Sequence, residues 1–566
     1  MVRRFQQTSK RHLQGLIAAP APKIIILIGF MGVGKTEIGK LCAIELGCEF
    51  YDTDEMVQAR AGMTISEIFA AFGESEFRRL EKSSIGEAVA RQSAVIATGG
   101  GAPLDPDNRA ALTSAGIVVH LTARARTIAH RIGDAASRPL LASEADPFSH
   151  IKRLMVKRRP AYASMADITI PVEANTPLEI ARQIASRVAD TSKLAKEVLT
   201  SSAILQADVG DGGYPIWLGS GLIRIGGGRL LARLAGRARA CIVTHPHLKQ
   251  RYAEPIAYEM RQSGVPVAIV TLPQGESRKN LKTVQRLYSS FVAAGIDRNG
   301  LVVAVGGGVI GDIAGFAAAC FLRGVRYAQV PTTLLAQVDS SVGGKTGVDL
   351  PEGKNLVGSF HQPALVLIDP EALCTLPQRE LRSGLAEVIK YGIITDEAFF
   401  YQTRDELPSI LNRDLDALKR AIMRSCEIKA AVVAADEKEQ GLRAILNFGH
   451  TVGHALESVT LYKRYRHGEA IAIGMVTASL IGEELGITPQ GVTRELTSCL
   501  SACSLPVEFP AQIDISTVYA AMLLDKKTQS GRLRFVIAEG IGKVRVVDGV
   551  PQEVVYRAIE RQKPSQ

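Results

Sequence analysis

Two short stretches of the chain combine glycines with charged or hydroxyl side chains in the spacing that phosphate binding requires. The first, residues 29–36, reads GFMGVGKT and fits the pattern G-x-x-x-x-G-K-[ST]. In such a loop, backbone N–H groups face the phosphates, the lysine neutralises phosphate charge and the hydroxyl reaches Mg²⁺. The second, residues 306–311, reads GGGVIG and fits the G-x-G-x-x-G pattern of a pyrophosphate at a helix N-terminus. The sequence therefore predicts two nucleotide sites on one polypeptide.

Groups that could bind a phosphate acceptor follow the first loop. Asp52 and Asp54 come directly after a short β-type run, where one carboxylate can hold Mg²⁺ and another can take a proton from an attacking hydroxyl. Two acids in a loop are equally typical of a solvated surface, so both interpretations stay open at this point. Three further segments carry charge or clustered glycines: FGESEFRRLE (72–81), VIATGGGAP (95–103) and the lid-like SRPLL (137–141).

Potential metal ligands lie in the second half of the chain. They are Glu387, His450 and His467, all beyond the point near residue 376 where the pattern turns helical. His450 and His454 are four residues apart, so they share one face of a helix, and spacing alone favours this pair as zinc ligands. A hydrogen-bonded core histidine is the alternative interpretation for one of them.

These groups need elements that hold them in place. Each glycine-rich turn follows an apolar β-type run and precedes a helical pattern, an alternation typical of the α/β class. A chain of 566 residues is too long for one core and suggests roughly three to four domains. We predict an N-terminal P-loop domain with a parallel sheet, then a Rossmann-like α/β domain and an α-helical metal-binding domain. The predicted boundaries are a basic disordered tail (1–22), the P-loop domain (23–192), a linker (193–201), the Rossmann-like part (202–375) and the helical part (376–562).

Composition excludes several classes of function. The chain is 46% apolar and 22% charged, as in a globular protein, and has no apolar run of the ~20 residues that span a membrane. The net charge is +10, but Lys and Arg form no long run and aromatic residues are only 5%. Small anionic substrates are therefore expected, and neither nucleic acid nor membrane. Eight scattered cysteines without a CxxC pair, and an N-terminus that lacks a signal peptide, favour a cytoplasmic protein.

Between about Lys23 and Ser192 the joint pattern resembles the shikimate kinase family. The resemblance implies ATP with Mg²⁺ as donor and shikimate as acceptor. The implied ATP contacts are Gly32, Val33, Gly34, Lys35, Thr36, Arg131 and Arg138, with Thr36 and Asp52 on Mg²⁺. The implied shikimate contacts are Asp54, Arg78, Gly99, Gly100, Gly101 and Arg158. Glu37 departs from the family's small or hydroxyl residue, and we expect its carboxylate to turn toward solvent.

Residues 201–562 resemble the 3-dehydroquinate synthase family. The resemblance implies NAD⁺, a Zn²⁺ or Co²⁺ ion on Glu387, His450 and His467, and His454 on the substrate side. The implied NAD⁺ contacts are Glu276, Gly307, Gly308, Asp312, Thr332, Thr333, Lys354 and Thr375. The implied substrate and phosphate contacts are Asp339, Lys345, Asn355, Lys390, Lys429, Arg443, Asn447, Lys526 and Lys527. Arg323 corresponds to a residue that the family contributes across a dimer interface, so a homodimer is expected.

Together the two resemblances imply a bifunctional enzyme of the shikimate pathway. The alternative is a regulatory nucleotide-binding module fused to a polyol dehydrogenase-like enzyme. Intact Lys35, Asp54, Arg78 and Arg138 argue against a degenerate first half. The basic set Lys345, Lys390, Arg443 and Lys527 favours a phosphorylated substrate over a simple polyol in the second half.

Overall fold

A computed structural model of the protein describes residues 24–91, 93–132, 147–163, 165–173, 175–209, 213–437, 439, 441–524 and 533–564. The predicted tail, Arg138, Lys526 and Lys527 lie outside these ranges. The chain divides into two compact units, each of which is described by itself. Unit 1 is Met1–Thr200, Ile225–Arg237 and Glu254–Val267, and unit 2 is Ser201–Arg224, Ala238–Ala253 and Ala268–Gln566.

Unit 1 is built on a five-stranded parallel sheet, as the sequence predicts. Its strands are β1 (Ile24–Ile28), β2 (Glu49–Asp52), β3 (Ala94–Ala97), β4 (Ile117–Thr122) and β5 (Ile168–Pro171). Their order is β2-β3-β1-β4-β5, with Ile25 of β1 in register with Val95 of β3 and Ile117 of β4. The run IIILI is buried along its whole length, which explains why a continuous apolar segment, not an alternating one, forms this central strand.

The helices of unit 1 lie between and after its strands along the chain. They are α1 (Lys35–Leu46), α2 (Thr53–Ala61), α3 (Ile65–Val89), α4 (Pro106–Ala115), α5 (Ala125–Ile132), α6 (Pro147–Ala163), α7 (Pro177–Ser201), α8 (Gly227–Ala235) and α9 (Glu254–Gln262). Thr64 and Glu67 form a capping box at the start of α3. The segment 193–201, which we predicted as a linker, is the end of α7. It contains no glycine or proline and is rich in good helix formers, so nothing in it stops the helix.

Unit 2 contains a seven-stranded sheet. Its strands are β6 (Ala203–Ala207), β7 (Tyr214–Leu218), β8 (Ala240–Thr244), β9 (Val267–Thr271), β10 (Leu301–Gly306), β11 (Arg326–Pro331) and β14 (Leu365–Ile368), and β12 (Lys345–Leu350) with β13 (Gly353–Phe360) forms a separate hairpin. The sheet order is β6-β7-β14-β11-β10-β8-β9. The β6–β7 pair is antiparallel, whereas β10 is parallel to both β11 and β8. The carboxyl ends of β10 and β11 therefore lie side by side.

The rest of unit 2 is mainly helical, with one small sheet. The helices are α10 (Leu281–Ala293), α11 (Gly308–Cys320), α12 (Gln378–Thr395), α13 (Glu397–Leu411), α14 (Leu415–Ala435), α15 (His450–Val459), α16 (His467–Glu484), α17 (Gln490–Ala502), α18 (Ile515–Leu524) and α19 (Gln552–Gln562). The hairpin of β15 (Arg534–Gly540) and β16 (Lys543–Asp548) packs within a region that we predicted as helical. Short helical turns occur at Ala102–Leu104, Pro246–Leu248, Lys249–Ala253, Glu276–Arg278, Phe321–Arg323, Ala336–Ser340, Pro370–Thr375 and Leu442–Asn447.

One large apolar cluster supports this helical region. It includes fully buried Tyr391, Phe400 and Phe448, and α16 is buried on nearly all sides. Within the described ranges, no helix combines the length and the apolar content that crossing a bilayer requires.

Candidate active sites

The predicted triphosphate loop lies between β1 and α1, as its spacing requires. Nζ of Lys35 donates to the carbonyl oxygens of Gly29 at 2.9 Å and Phe30 at 3.1 Å, so the side chain folds back across the loop. The loop also ends at the N-terminus of a helix of 12 residues. The ammonium group and the helix N-terminus together place positive charge where a phosphate would bind.

Glu37 is exposed on the first turn of α1. Its carboxylate faces solvent, as we expected. At that position a negative charge also interacts favourably with the helix dipole. The departure from the family pattern therefore leaves the loop intact.

Thr36 and Asp52, the predicted Mg²⁺ ligands, are in direct contact. Oγ1 of Thr36 donates to Oδ2 of Asp52 at 2.6 Å. The other carboxylate oxygen of Asp52 accepts the backbone N–H of Asp54 at 2.9 Å and so caps α2. A hydroxyl and a carboxylate are the hard oxygen donors that Mg²⁺ prefers, so this pair fits the ion.

The predicted acceptor residues converge on the glycine turn after β3. A Cβ at Gly99 would lie 2.5 Å from Oδ1 of Asp54, and a Cβ at Gly101 would lie 2.7 Å from Nη1 of Arg78. Nη1 of Arg158 donates to the carbonyl of Gly100 at 3.1 Å. Only glycine allows the two charged side chains to approach the turn this closely. The turn, one carboxylate and two guanidinium groups thus form a small polar site, suited to a hydroxylated carboxylic acid.

Glu81 belongs to this site, although we did not predict it. Its carboxylate is 1% exposed, and Oε2 accepts from Nη1 of Arg78 at 2.8 Å. Burial raises the pKa of Glu81 above its usual value, while the charge of Arg78 opposes this shift. Arg78 also pairs with exposed Glu74 at 3.0 Å. The signal was present in the sequence, because residues three and four apart on a helix are neighbours.

The nucleotide-side arginines are only partly described. Nη1 of Arg131, an implied ATP contact at the end of α5, donates to the carbonyl of Val33 at 3.4 Å, so this side chain lies beside the phosphate loop. Arg138, predicted in the lid, lies outside the described residues.

In unit 2 the second glycine turn meets the predicted threonine pair. The backbone N–H of Thr332 donates to the carbonyl of Gly306 at 3.0 Å, and a Cβ at Gly307 would lie 3.1 Å from Cγ2 of Thr333. The contact follows from the neighbouring parallel strands β10 and β11. A glycine turn at the carboxyl end of a parallel strand, leading into the N-terminus of α11, fits a dinucleotide pyrophosphate.

Lys279 is a second residue that we did not predict. It is 4% exposed, and its Nζ donates to Oδ2 of Asp312 and to Oδ1 of Asn355, both at 2.5 Å. Burial alone would lower the pKa of Lys279, but the charges of Asp312 and Glu276 raise it. A charged Lys279 therefore connects Asp312, a predicted NAD⁺ contact, to Asn355, a predicted substrate contact.

Two further predicted NAD⁺ residues, Glu276 and Lys354, form an ion pair. Nζ of Lys354 is 3.5 Å from Oε1 of Glu276 and 4.2 Å from the ring centre of Tyr462. Thr375 hydrogen-bonds through Oγ1 to the hydroxyl of Tyr252 at 2.6 Å.

The predicted metal ligands come together around one buried carboxylate. Glu387 of α12 is fully buried, and its Oε1 lies 3.7 Å from Nε2 of both His450 and His467. The ligand atoms of these three residues lie within 4.8 Å of one another. Nδ1 of His450 lies 3.1 Å from the carbonyl of Phe448, so in the neutral ring Nδ1 carries the proton and Nε2 can bind an ion. One carboxylate and two imidazoles are a ligand set for a catalytic zinc-type ion.

His454 also lies near this cluster, with its ring centre 5.3 Å from that of His450 and 6.0 Å from that of His467. Glu387 lies between His450 and His467, not between His450 and His454. The pair that spacing alone suggested is therefore not the pair on the buried carboxylate.

A cationic cluster adjoins the metal ligands. Nζ of Lys390 lies 2.5 Å from Oε2 of Glu387, and Nζ of Lys429 donates to Oδ1 of Asp339 at 2.7 Å. Burial would raise the pKa of Asp339, but Lys429 and Lys390 hold it well below its usual range. The hydroxyl of Tyr391 adds a hydrogen bond to Asp339 at 2.9 Å. Asp339 thus holds Lys429, and Glu387 holds Lys390, so two predicted phosphate-binding lysines lie close to the ligand set.

Glu439 is a third residue that sequence reasoning missed. Its carboxylate pairs with Nζ of Lys345, and its Oε1 accepts from Nδ2 of Asn447 at 3.2 Å. Both partners are predicted substrate contacts. Nearby, Arg443 donates to the carbonyl of Gly343 at 3.1 Å. No motif marks Glu439, because its importance comes from contacts with residues distant in the chain.

Arg323, the predicted cross-interface residue, is exposed on the Phe321–Arg323 turn, and Leu322 beside it is 41% exposed. Both residues have positive φ, 68° for Arg323 and 50° for Leu322, a conformation that non-glycine residues rarely adopt. Lys526 and Lys527 lie outside the described residues.

Comparison with protein families divides the chain in the same way as the two sites. The family model for shikimate kinase matches residues 31–189. The models for the N-terminal and C-terminal parts of 3-dehydroquinate synthase match residues 269–383 and 384–528.

Individual relatives agree with these matches. The chain is 47% identical to the 3-dehydroquinate synthase of Pelobacter propionicus over 354 residues, which is 62% of this chain and 98% of the relative. It is 47% identical to that of Nostoc punctiforme over 338 residues, 59% of this chain and 92% of the relative. Among solved structures, 2-deoxy-scyllo-inosose synthase with carbaglucose-6-phosphate, NAD⁺ and Co²⁺ is 26% identical, with a TM-score of 0.58 over 64% of this chain and 100% of that chain. The 2-epi-5-epi-valiolone synthase of Streptomyces hygroscopicus, with NAD⁺ and Zn²⁺, is 28% identical, with a TM-score of 0.57 over 62% of this chain and 98% of that chain.

Proposed function

Because the chain belongs to the 3-dehydroquinate synthase family and carries a shikimate kinase domain ahead of it, we propose that ATP with Mg²⁺ serves the first site, and NAD⁺ with Zn²⁺ or Co²⁺ the second. The protein is a bifunctional enzyme of the shikimate pathway. Its kinase phosphorylates shikimate with ATP, and its synthase converts 3-deoxy-D-arabino-heptulosonate 7-phosphate to 3-dehydroquinate and phosphate. The family matches to both halves disfavour the alternative of a regulatory module fused to a polyol dehydrogenase-like enzyme.

In the kinase site the residues divide into phosphate and acceptor groups. Lys35 and the N-terminus of α1 neutralise phosphate charge, and Thr36 and Asp52 are the oxygen donors that would hold Mg²⁺. Asp54 lies against the glycine turn, where it can orient a hydroxyl of shikimate and accept its proton. Arg78 and Arg158 supply two guanidinium groups for the carboxylate.

In the synthase site Glu387, His450 and His467 would hold the metal ion. When bound, NAD⁺ supplies a hydride acceptor and the ion polarises a substrate oxygen. Lys345, Lys390 and Arg443 provide positive charge for a phosphate and a carboxylate. Glu439 can accept a proton beside Lys345 and Asn447.

One observation carries the proposal for the second site: the buried carboxylate of Glu387 faces two imidazoles and also touches Lys390 of the cationic cluster. A metal site and an anion site thus share one residue. A polyol dehydrogenase would need the first but not the second.

The experiment is removal of bound metal, followed by assay of both reactions in Mg²⁺ alone. Shikimate phosphorylation should recover in Mg²⁺ alone, whereas dehydroquinate formation should recover only after Zn²⁺ or Co²⁺ is added. His450→Ala should behave like the metal-stripped enzyme, and His454→Ala should retain the metal. Full synthase activity in verified zinc- and cobalt-free protein, or metal loss only in His454→Ala, would contradict the assignment.

We also propose a cytoplasmic homodimer formed through the synthase half. The exposed Phe321–Arg323 turn supports an interface there, and eight free cysteines support a reducing compartment. Sedimentation of the wild type and of Arg323→Glu tests the dimer, and the variant should shift toward monomer.

A further inference from the structure

Glu457 is a buried acid of α15 that belongs to neither predicted ligand set. Its side chain is only 5% exposed. It lies seven residues after His450 and three after His454, so it shares their face of the helix. A buried carboxylate requires partners, because taking its charge out of water is costly.

The two oxygens of Glu457 have different partners. Oε2 accepts from Nδ1 of His467 at 3.4 Å, and Oε1 accepts from Nζ of Lys354 at 3.4 Å. The opposite ring nitrogen of His467, Nε2, faces Glu387 at 3.7 Å. The imidazole of His467 therefore faces Glu387 through Nε2 and Glu457 through Nδ1.

Lys354 extends this chain of contacts toward the nucleotide residues. Its Nζ lies 3.5 Å from Oε1 of Glu276, which is one of the implied NAD⁺ contacts. The sequence of contacts is Glu387, His467, Glu457, Lys354 and Glu276. It runs without a break from the metal ligands to the nucleotide side of the unit.

A second metal ion on His454, Glu457 and His467 is the competing interpretation, since their ligand atoms also lie within 4.8 Å of one another. Two features disfavour it. The ammonium of Lys354 would repel a cation at Glu457. Nδ1 of His467 would also have to lose the proton that it donates to Glu457, whereas a metal-bound imidazole commonly keeps such a hydrogen bond to a carboxylate.

We infer that Glu457 is a positioning residue that links metal binding to NAD⁺ binding, by fixing His467 through Nδ1 and Lys354 through its ammonium group. The inference rests on the proposed function of this site. A metal ion on Nε2 makes Nδ1–H a stronger donor, which holds the Glu457 carboxylate in place. A fixed carboxylate holds Lys354 in turn, so less freedom is lost when NAD⁺ binds. Linkage then requires NAD⁺ to tighten metal binding by the same factor.

The test measures binding, not turnover. Co²⁺ affinity is measured by competition with a chromophoric chelator, and NAD⁺ affinity by calorimetry with and without Co²⁺. In the wild type, Co²⁺ should tighten NAD⁺ binding by about fivefold or more. Glu457→Gln should weaken Co²⁺ binding by about 10- to 100-fold and make the NAD⁺ affinity independent of Co²⁺.

Two variants separate this role from general damage. Lys354→Gln should abolish the coupling but leave Co²⁺ affinity in the absence of NAD⁺ unchanged. If Glu457→Gln does not fold, Lys354→Gln tests the coupling in its place. Glu484→Gln is the matched control, because Glu484 lies on the same helix as His467 but pairs with Arg557 and Arg561. It should change neither affinity nor the visible spectrum of bound Co²⁺.

Three outcomes would overturn the inference. These are NAD⁺ affinity that does not depend on Co²⁺ in the wild type, coupling that persists in Glu457→Gln or Lys354→Gln, and a fall from two bound Co²⁺ to one in Glu457→Gln. A wild type that binds neither Co²⁺ nor NAD⁺ would instead contradict the proposed function itself.

Discussion

Arg78 shares its guanidinium between two glutamates of its own helix, and only one of them is buried. Glu81 is 1% exposed, whereas Glu74 is 58% exposed. An exposed ion pair contributes only about 0–1 kcal/mol, since water and salt screen it. A buried partner has no such screening, so Glu81 should determine where the guanidinium lies.

We therefore expect Glu81→Gln to raise the KM for shikimate by about tenfold, while Glu74→Gln changes it by less than about fivefold. The physical reason is that Arg78 loses its rigid support but keeps its charge. Steady-state kinetics with shikimate as the varied substrate checks this. Equal effects of the two substitutions would mean that burial does not distinguish the glutamates.

Lys35 places one positive charge at the phosphate loop. Lys35→Ala should lower shikimate phosphorylation by about 10²–10³-fold, because a preorganised cation is lost where charge is redistributed. Dehydroquinate formation should stay near the wild-type rate. Lys40→Ala is the matched control, since Lys40 is exposed and its ion pair with Glu55, at 3.4 Å, is exposed as well. Parallel loss of both activities in folded Lys35→Ala would contradict independent sites.

Residues within a motif could be predicted, and residues that act through other side chains could not. The phosphate loop, Asp54, Arg78 and the Glu387–His450–His467 set all followed from pattern and resemblance, and the structure brings each group together. Lys279 and Glu439 join positions far apart in the chain, so no local spacing marks them. Glu81 and Glu457 lay within one helical turn of predicted residues, so helical spacing could have found both.

Helices α15 and α16 hold His450 and His467, the two histidines proposed as metal ligands, and they approach each other at glycines. A Cβ at Gly474 would lie 2.0 Å from the carbonyl of Gly449, and a Cβ at Gly453 would lie 2.7 Å from Cδ1 of Ile471. This close approach fixes His450 and His467, each the first residue of its helix. The sequence predicted helices here, but the histidine spacing suggested a different pair from the one beside Glu387, because spacing contains no information on this crossing.

Gly449→Ala tests the crossing. Gly449 has φ +78°, and its Cβ would lie 2.6 Å from Cγ and 2.8 Å from the backbone nitrogen of Met475. We expect unit 2 to lose more than about 2 kcal/mol of unfolding free energy, and to lose bound metal, because both backbone strain and overpacking act. Urea unfolding and metal analysis measure the two effects.

Gly486→Ala is the matched control for this prediction. Gly486 has φ +67° at the end of α16, but no atom lies within 4 Å of its would-be Cβ. Gly486→Ala should lower the unfolding free energy by about 1–2 kcal/mol, from the backbone conformation alone, and leave the metal content unchanged. Metal loss of the same size in both variants would contradict the role of close packing.

At the scale of the whole molecule, each unit has its own sheet, its own apolar clusters and its own site. From the two glycine-rich turns, the sequence predicted two separate nucleotide sites. It did not predict that residues 225–237 and 254–267 group with unit 1, since grouping depends on contacts and not on chain order. Because α7 continues to Ser201 and two later segments also belong to unit 1, no single cut in the chain separates the two units.

Trp217 allows the units to be followed separately, because it is the chain's one tryptophan and lies buried in β7 of unit 2. NAD⁺ at about 100 times its Kd should stabilise unit 2 by about 2.7 kcal/mol and raise the Tm of the Trp217 transition. Shikimate with ADP should leave that transition unchanged. A shift of equal size with kinase ligands would mean that the two units unfold together.

The presence of both units in one polypeptide also has a consequence for metabolism. Every translated chain carries one kinase and one synthase, so the two enzymes are made in equal number and neither can be induced alone. The synthase forms 3-dehydroquinate and the kinase starts from shikimate, so the product of one site is not the substrate of the other. Because this chain fixes the ratio of its two enzymes, the relative flux through them depends on their turnover numbers and on substrate and cofactor supply.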